Sequence, residues 1–155
     1  IDYEIVPGVP AFSAAAASLG HELTVPTVGQ TVILTRVSGR ASAMPEGEDL
    51  PTLGAAGATM VIHLAAHDIR RVAELTPNYG PDCPVAVVAF ASRPAEVIVR
   101  GTLADIAEQV ELAGITRTAV IIVGRVLQAT EFPDSFLYSD DRPRDDEGRT
   151  IPCMH

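Results

Sequence analysis

The chain contains no lysine and no tryptophan, so all eleven of its Lys/Arg-type cations are arginine. Aromatic side chains make up only 5% of the 155 residues, and there are two cysteines. Each shortage excludes something. Cys83 and Cys153 are too few and too unpatterned for a disulfide framework or a structural zinc site, and read as free thiols. Acidic residues outnumber basic ones by 20 to 11, leaving a net charge of −9, which argues against a nucleic-acid partner, since that needs a basic face. No apolar run approaches the roughly 20 residues of a membrane span, and no basic segment leads into an apolar one. The expectation is a cytoplasmic protein with no membrane partner. Within the total of −9, residues 131–155 carry −4 and residues 1–130 carry −5.

What is present is apolar and small: 47% hydrophobic residues, rich in Ala and Val, in a chain long enough for one core. Short apolar runs alternate with Ala-rich or polar stretches. Ile1 to Val6 reads as a strand stopped by Pro7-Gly8, and the chain enters on it directly, as if cut from something longer. Ala11 to Leu19 reads as a helix begun after Pro10 and ended by Gly20. Strands follow at Thr31–Thr35, Thr59–Leu64, Pro84–Phe90, Glu96–Arg100 and Thr118–Val123. Helices are expected from Asp49, as cap, to Ala56, from Asp68 to Leu75, and from Leu103 to Ala113 with Thr102 as cap. The strands are uniformly apolar rather than alternating. The expected fold is therefore α/β, a mostly parallel open sheet of about five strands flanked by helices, with one antiparallel pair. Residues 131–155, dominated by Asp, Arg, Pro and Gly, read as a polar flexible tail.

In open α/β sheets ligands gather at the carboxyl ends of strands. Four such ends have small or unusual residues: Val6 to Ala11, Leu64-Ala65-Ala66, Phe90-Ala91-Ser92-Arg93 and Gly124-Arg125-Val126. Singly, each glycine or alanine is explained as well by a turn or by helix packing; jointly they suggest a small-molecule cleft. No phosphate loop, dinucleotide fingerprint, nucleophile elbow or metalloprotease helix is present. His63 and His67 stand four apart but on a strand and beyond it, so they do not share a helix face and no metal site is expected.

Val6-Pro7-Gly8-Val9 before an Ala/Ser-rich helix resembles the second half of the cobalamin and siroheme methylases, the class III S-adenosylmethionine methyltransferases. Four further blocks recur in that family's order: Gln30-Thr31-Val32, Thr59 to Leu64, Pro84 to Val88 leading to Arg100-Gly101-Thr102-Leu103, and Ile121 to Val126. The ordered set covers residues 1 to about 138. Thr35-Arg36 with Ser38-Gly39-Arg40, then Met44 to Glu48, looks like the precorrin-4 branch of the family.

The resemblance implies the C-terminal lobe of a tetrapyrrole methylase. Residues 1–9 would link it to a first lobe of about a hundred residues, residues 10–130 would form the lobe, and 131–155 the tail. It implies S-adenosylmethionine as methyl donor, a tetrapyrrole acceptor, no metal and a homodimer. By position, donor contacts fall to Pro10, Ala11, Leu64, Ala91, Thr118 and Ala119. Pro10 stands where relatives usually have Ser or Thr, and Leu64 where many have Met. The acceptor carries several carboxylates, so an acidic protein must gather cations locally; Arg36, Arg40 and Arg93 are the candidates, and Arg70 and Arg71 are expected to face solvent. No catalytic side chain is assigned, because a sulfonium methyl is already activated. The alternatives are a uroporphyrinogen III or precorrin-2 methylase, or a noncatalytic lobe that only dimerises or binds.

Overall fold

The computed structural model describes residues 1–39 and 43–130. Arg40 and the tail at 131–155 lie outside the described residues. Five strands form one sheet: β1 (Val32–Arg36), β2 (Thr59–His63), β3 (Pro84–Ala89), β4 (Val97–Thr102) and β5 (Ala119–Val123). Their spatial order is β1-β2-β5-β3-β4. Four helices accompany them: α1 (Ala11–Leu19), α2 (Leu50–Gly54), α3 (Thr76–Tyr79) and α4 (Ile106–Leu112). Two 3₁₀ segments complete the set, Ala66–Leu75 and Arg125–Gln128. The first of these replaces the α-helix expected over 68–75, and a non-helical Asp68 (φ −137°, ψ 48°) interrupts it.

The α/β class and the five-strand count agree with the sequence reading, but strand direction does not. Only β1 and β2 pair in parallel; β5 runs antiparallel to both β2 and β3, and β4 antiparallel to β3. The uniform apolar runs have another cause. In β3 every residue is buried, and in β5 all but the first. Burial on both faces produces such a run whichever way the strand points.

Alternate residues of each strand feed two separate cores. On one face α1 sets Ala15 and Leu19 against Val61, Val88, Val120 and Ile122. On the other, Leu50, Leu75, Tyr79, Ile106 and Val110 pack on Met60, Ile62, Val87 and Ile121. Helix ends follow local chemistry. Gly20 (φ 68°) closes α1 as expected, with its N–H and that of His21 returning to Ala17 and Ala16 carbonyls. Asp49 caps α2 as expected, accepting from the Thr52 N–H at 3.0 Å, and that bond holds its carboxyl below the usual range. Thr102 does not cap a helix. It ends β4 opposite Pro84, and the turn before α4 is held by Asp105, whose Oδ1 accepts from the Thr102 N–H at 2.6 Å. Gly101 permits this, because a Cβ there would lie 2.6 Å from the same oxygen.

The strand expected at Ile1 to Val6 is not formed. Residues 1–10 have no regular structure, and Ile1, Tyr3, Ile5, Val6 and Val9 are all exposed. A strand requires a neighbour to satisfy its backbone, and among the described residues none pairs with this segment.

Candidate functional site

Because β5 is antiparallel to both β2 and β3, those two strands point the same way, and their carboxyl ends share an edge with the start of β5. Each of these three positions carries a non-glycine residue in the left-handed region: Leu64 (φ 56°) after β2, Phe90 (φ 53°) after β3 and Thr118 (φ 54°) before β5. Ser92 (φ 64°) adds a fourth in the loop after β3. Such a conformation costs on the order of 1–3 kcal/mol for a residue with a side chain, so four at one edge need a common constraint. Hydrogen bonds supply it in part. The Phe90 N–H donates to the Thr118 carbonyl at 2.9 Å, tying two of the strained tips together, and the Arg93 N–H donates to the Phe90 carbonyl at 3.0 Å.

Between these tips and the start of α1 opens a cleft of about 370 Å³. Of the residues read from the sequence as donor contacts, Ala11, Leu64, Ala91, Thr118 and Ala119 line it, and so does Arg93. Pro10 and Arg36 line instead an adjoining groove of about 520 Å³, together with Phe12, Leu34, Met44 and Glu48. Arg36 and Arg93, expected to act together, thus stand in neighbouring depressions. The fourth tip expected at this edge, Gly124-Arg125-Val126, is not there. It follows β5, and β5 runs away from the cleft; the Gly124 N–H donates to the Pro84 carbonyl at the opposite edge. Arg125 is a structural clamp, gripping Asp82 at 2.8 and 3.1 Å and the Tyr79 carbonyl at 3.0 Å. That grip holds the Asp82 carboxyl below its usual range, while burial pushes the Tyr79 phenol up to about 12. Arg70 is exposed as expected and pairs with Glu111; Arg71 is only partly exposed, and bonds Glu74 and the Ser38 carbonyl.

The sequence reading gives three of the lining residues no part in a cleft. His63, His67 and Arg117 face it, and among the described residues its charged lining side chains are Arg93 and Arg117, so its polar surface is cationic although the chain carries −9. Arg117 was hidden by the parallel assumption, which directed attention to the ends of strands rather than to the start of β5. Glu96 was read as the first residue of a strand. It lies just before β4, and its Oε2 accepts both the Ser18 hydroxyl and the Ser92 N–H, each at 2.8 Å. A single oxygen therefore latches the loop bearing Ala91 and Arg93 to α1.

The arrangement is a cleft of mostly small and apolar side chains at strained turns, lined also by two arginines, with a second, more open depression beside it. It can hold a flat, polar-edged molecule of modest size next to a larger anionic one. Three comparisons bear on what those are. Residues 1–107 match the family model of the tetrapyrrole (corrin/porphyrin) methylases. A precorrin-4 C(11)-methyltransferase of Rhodococcus erythropolis is 66% identical over 145 residues, 93% of this chain and 58% of that protein. Among solved structures, a cobalt precorrin-4 methyltransferase superposes with a TM-score of 0.75 at 41% identity, covering 80% of this chain and 52% of that one. The uroporphyrin-III C-methyltransferase of Thermus thermophilus, complexed with S-adenosylhomocysteine, shares the fold with a TM-score of 0.62 at 24% identity. The chain spans a little over half the length of the relatives it matches.

Proposed function

The chain belongs to the tetrapyrrole (corrin/porphyrin) methylases, and from that premise we propose that it forms one wall of a methyltransferase site. The reaction is transfer of a methyl group from S-adenosylmethionine to carbon 11 of precorrin-4, or its cobalt form, in cobalamin biosynthesis. The other wall comes from a first lobe of the kind that makes up the rest of the relatives' length. The observation that carries this reading is the convergence of Leu64, Phe90 and Thr118, all at positive φ, on a cleft lined by Ala11, Ala91 and Ala119. Small side chains let a ligand approach the backbone, and the strained turns hold the three strand tips in one place around it. S-adenosylmethionine, once bound, supplies an activated methyl. What remains for this chain is to align the two reactants, to exclude water and to hold an anionic macrocycle. Arg36 in the groove serves the last of these, with Arg93 and Arg117 at the cleft beside it.

We place the enzyme in the cytoplasm as a homodimer without metal or nucleic-acid partner, as the resemblance to the family implies; the acidic charge speaks against the nucleic-acid partner. Among the described residues no helix is long and apolar enough to cross a membrane. The direct test is to incubate the full-length enzyme with precorrin-4 and isotopically labelled donor, and to locate the label by carbon NMR. Label at carbon 11 is expected; label at another ring position, or none, refutes the assignment.

The Glu96 latch gives a finer check. Glu96→Ala frees the loop that presents Ala91, and affinity for S-adenosylhomocysteine should fall about tenfold, close to 1.4 kcal/mol. Glu96→Gln keeps a carbonyl oxygen able to accept both bonds and should bind within about threefold of wild type. Calorimetry on the full-length enzyme distinguishes them; equal losses for both variants would mean that the carboxylate charge, not the latch, matters.

A further inference from the structure

Helix α1 covers only the middle of its face of the sheet. The register pairs Leu34 with Val61 and Arg36 with His63, and Val61 packs under α1, so all four belong to that face. Beyond the helix Leu34 is 52% exposed and, with Phe12 and Met44, gives the groove an apolar floor. Arg36 and His63 stand at its end nearest the strand tips. Among the described residues His63 alone lines both the cleft and the groove. Its ring meets Phe12 edge-on, with centroids 6.5 Å apart at 78°. It is half-buried, and none of the hydrogen bonds among the described residues uses either ring nitrogen.

Charge conservation says what such a residue is for. When the acceptor carbon forms its bond to the methyl group, the methyl–sulfur bond breaks and its electron pair stays on sulfur, leaving a neutral thioether. The positive charge passes to the macrocycle, which regains neutrality by releasing a proton from a ring position conjugated with the new bond. A group at the junction of donor and acceptor has to take that proton. Arginine cannot, because it remains protonated. Glu48 lines only the groove and is exposed, and His67 lines only the cleft and is exposed.

We propose that His63 is the proton acceptor of the methyl transfer. Resting on the methyltransferase reading above, this assigns the cleft to the donor and the groove beside α1 to the macrocycle, with the imidazole between them. The titratable and charged groups around it come from every neighbouring element: Arg36 from β1, Glu48 ahead of α2, His67 from the 3₁₀ segment, Arg93 from the loop after β3 and Arg117 ahead of β5. α1 brings no charged or titratable group to it among the described residues, and meets it with the Phe12 ring.

The test uses the full-length enzyme with precorrin-4 as acceptor. His63→Asn keeps the size and polarity of the side chain but cannot take up a proton near neutral pH. Its kcat should fall about thirtyfold, less than the hundredfold or more typical of a general base, because water can accept the proton more slowly. Affinity for S-adenosylhomocysteine should stay within about threefold of wild type. The pH profile of kcat should differ between the wild type and His63→Asn. Added imidazole should restore part of the turnover of His63→Ala. A kcat within threefold of wild type for His63→Asn overturns the proposal, as does a fall that leaves the pH profile unchanged and resists rescue. If the wild-type enzyme methylates no tetrapyrrole, the methyltransferase reading fails and this role with it; normal wild-type turnover with an unimpaired variant refutes His63 alone.

Discussion

Replacing Ala91 with phenylalanine should lower the affinity of the full-length enzyme for S-adenosylhomocysteine by at least about a hundredfold, or roughly 2.7 kcal/mol. The size of the effect follows from how little the site can yield. Ala91 sits between Phe90 (φ 53°) and Ser92 (φ 64°), two residues already held in the left-handed region. Phe90 is fixed to its neighbour Thr118 at the start of β5, and Ser92 to Glu96 just before β4. The backbone therefore cannot swing a larger side chain aside without breaking those bonds. Inward movement is blocked as well, because Ala91 already packs against the core cluster formed with Ala15, Val88 and Val120. The new ring must enter the 370 Å³ cleft, where it would occupy the space proposed for the donor. Calorimetry should show the loss, while a thermal transition close to wild type would establish that the fold survives. Ala91→Ser, which adds one atom, should bind within about threefold. Unchanged affinity in Ala91→Phe would remove this loop from the donor site.

The sequence made the covered core legible and left strand direction illegible, for one physical reason. Met60, Val61 and Ile62, like Val85 to Ala89 and Val120 to Val123, are apolar because both faces of the sheet are covered, and that pattern locates strands to within a residue or two. It does not say which way a strand runs. Three consequences followed from assuming parallel strands. The tip at Gly124 was assigned to the wrong edge, Arg117 was overlooked, and Thr118 and Ala119 reached the right edge only through the resemblance to a known family. Local signals fared according to how local they are. Gly20 and Asp49 terminate helices through bonds made within a few residues, and both were read correctly. Thr102 was not, since whether it caps a helix or ends a strand depends on Pro84, eighteen positions earlier, pairing opposite it. The Glu96 latch spans still more of the chain, reaching Ser18 across 78 positions, and no spacing rule would have found it. His63 was noticed and set aside as half of a metal pair. Its place at the meeting of two depressions depends on the register of β1 against β2, which only the fold supplies.

The isolated 155-residue chain should turn precorrin-4 over at least about a thousandfold more slowly than the full-length enzyme. Aligning two reactants accounts for many orders of magnitude of rate when both are held, and little of that survives when one wall of the site is missing. On the proposed reading, two exposed surfaces are where a second wall would fit. Leu64 lines the cleft with 70% of its surface exposed, on a backbone in the left-handed region (φ 56°). Ile1, Tyr3, Ile5, Val6 and Val9 form an exposed apolar segment leading directly into α1, whose first residue lines the cleft. Apolar side chains concentrated on one segment beside a binding site mark a contact surface rather than chance exposure. The outcome is therefore specific. A separately produced first lobe, added in trans, should recover part of the turnover and should protect the amides of residues 1–10 from hydrogen exchange. Isolated-chain activity within tenfold of the full-length enzyme would show that these residues already enclose both reactants. The strain at Leu64, Phe90 and Thr118 would then have to be explained by the chain itself, as turns held for a ligand bound on one side only.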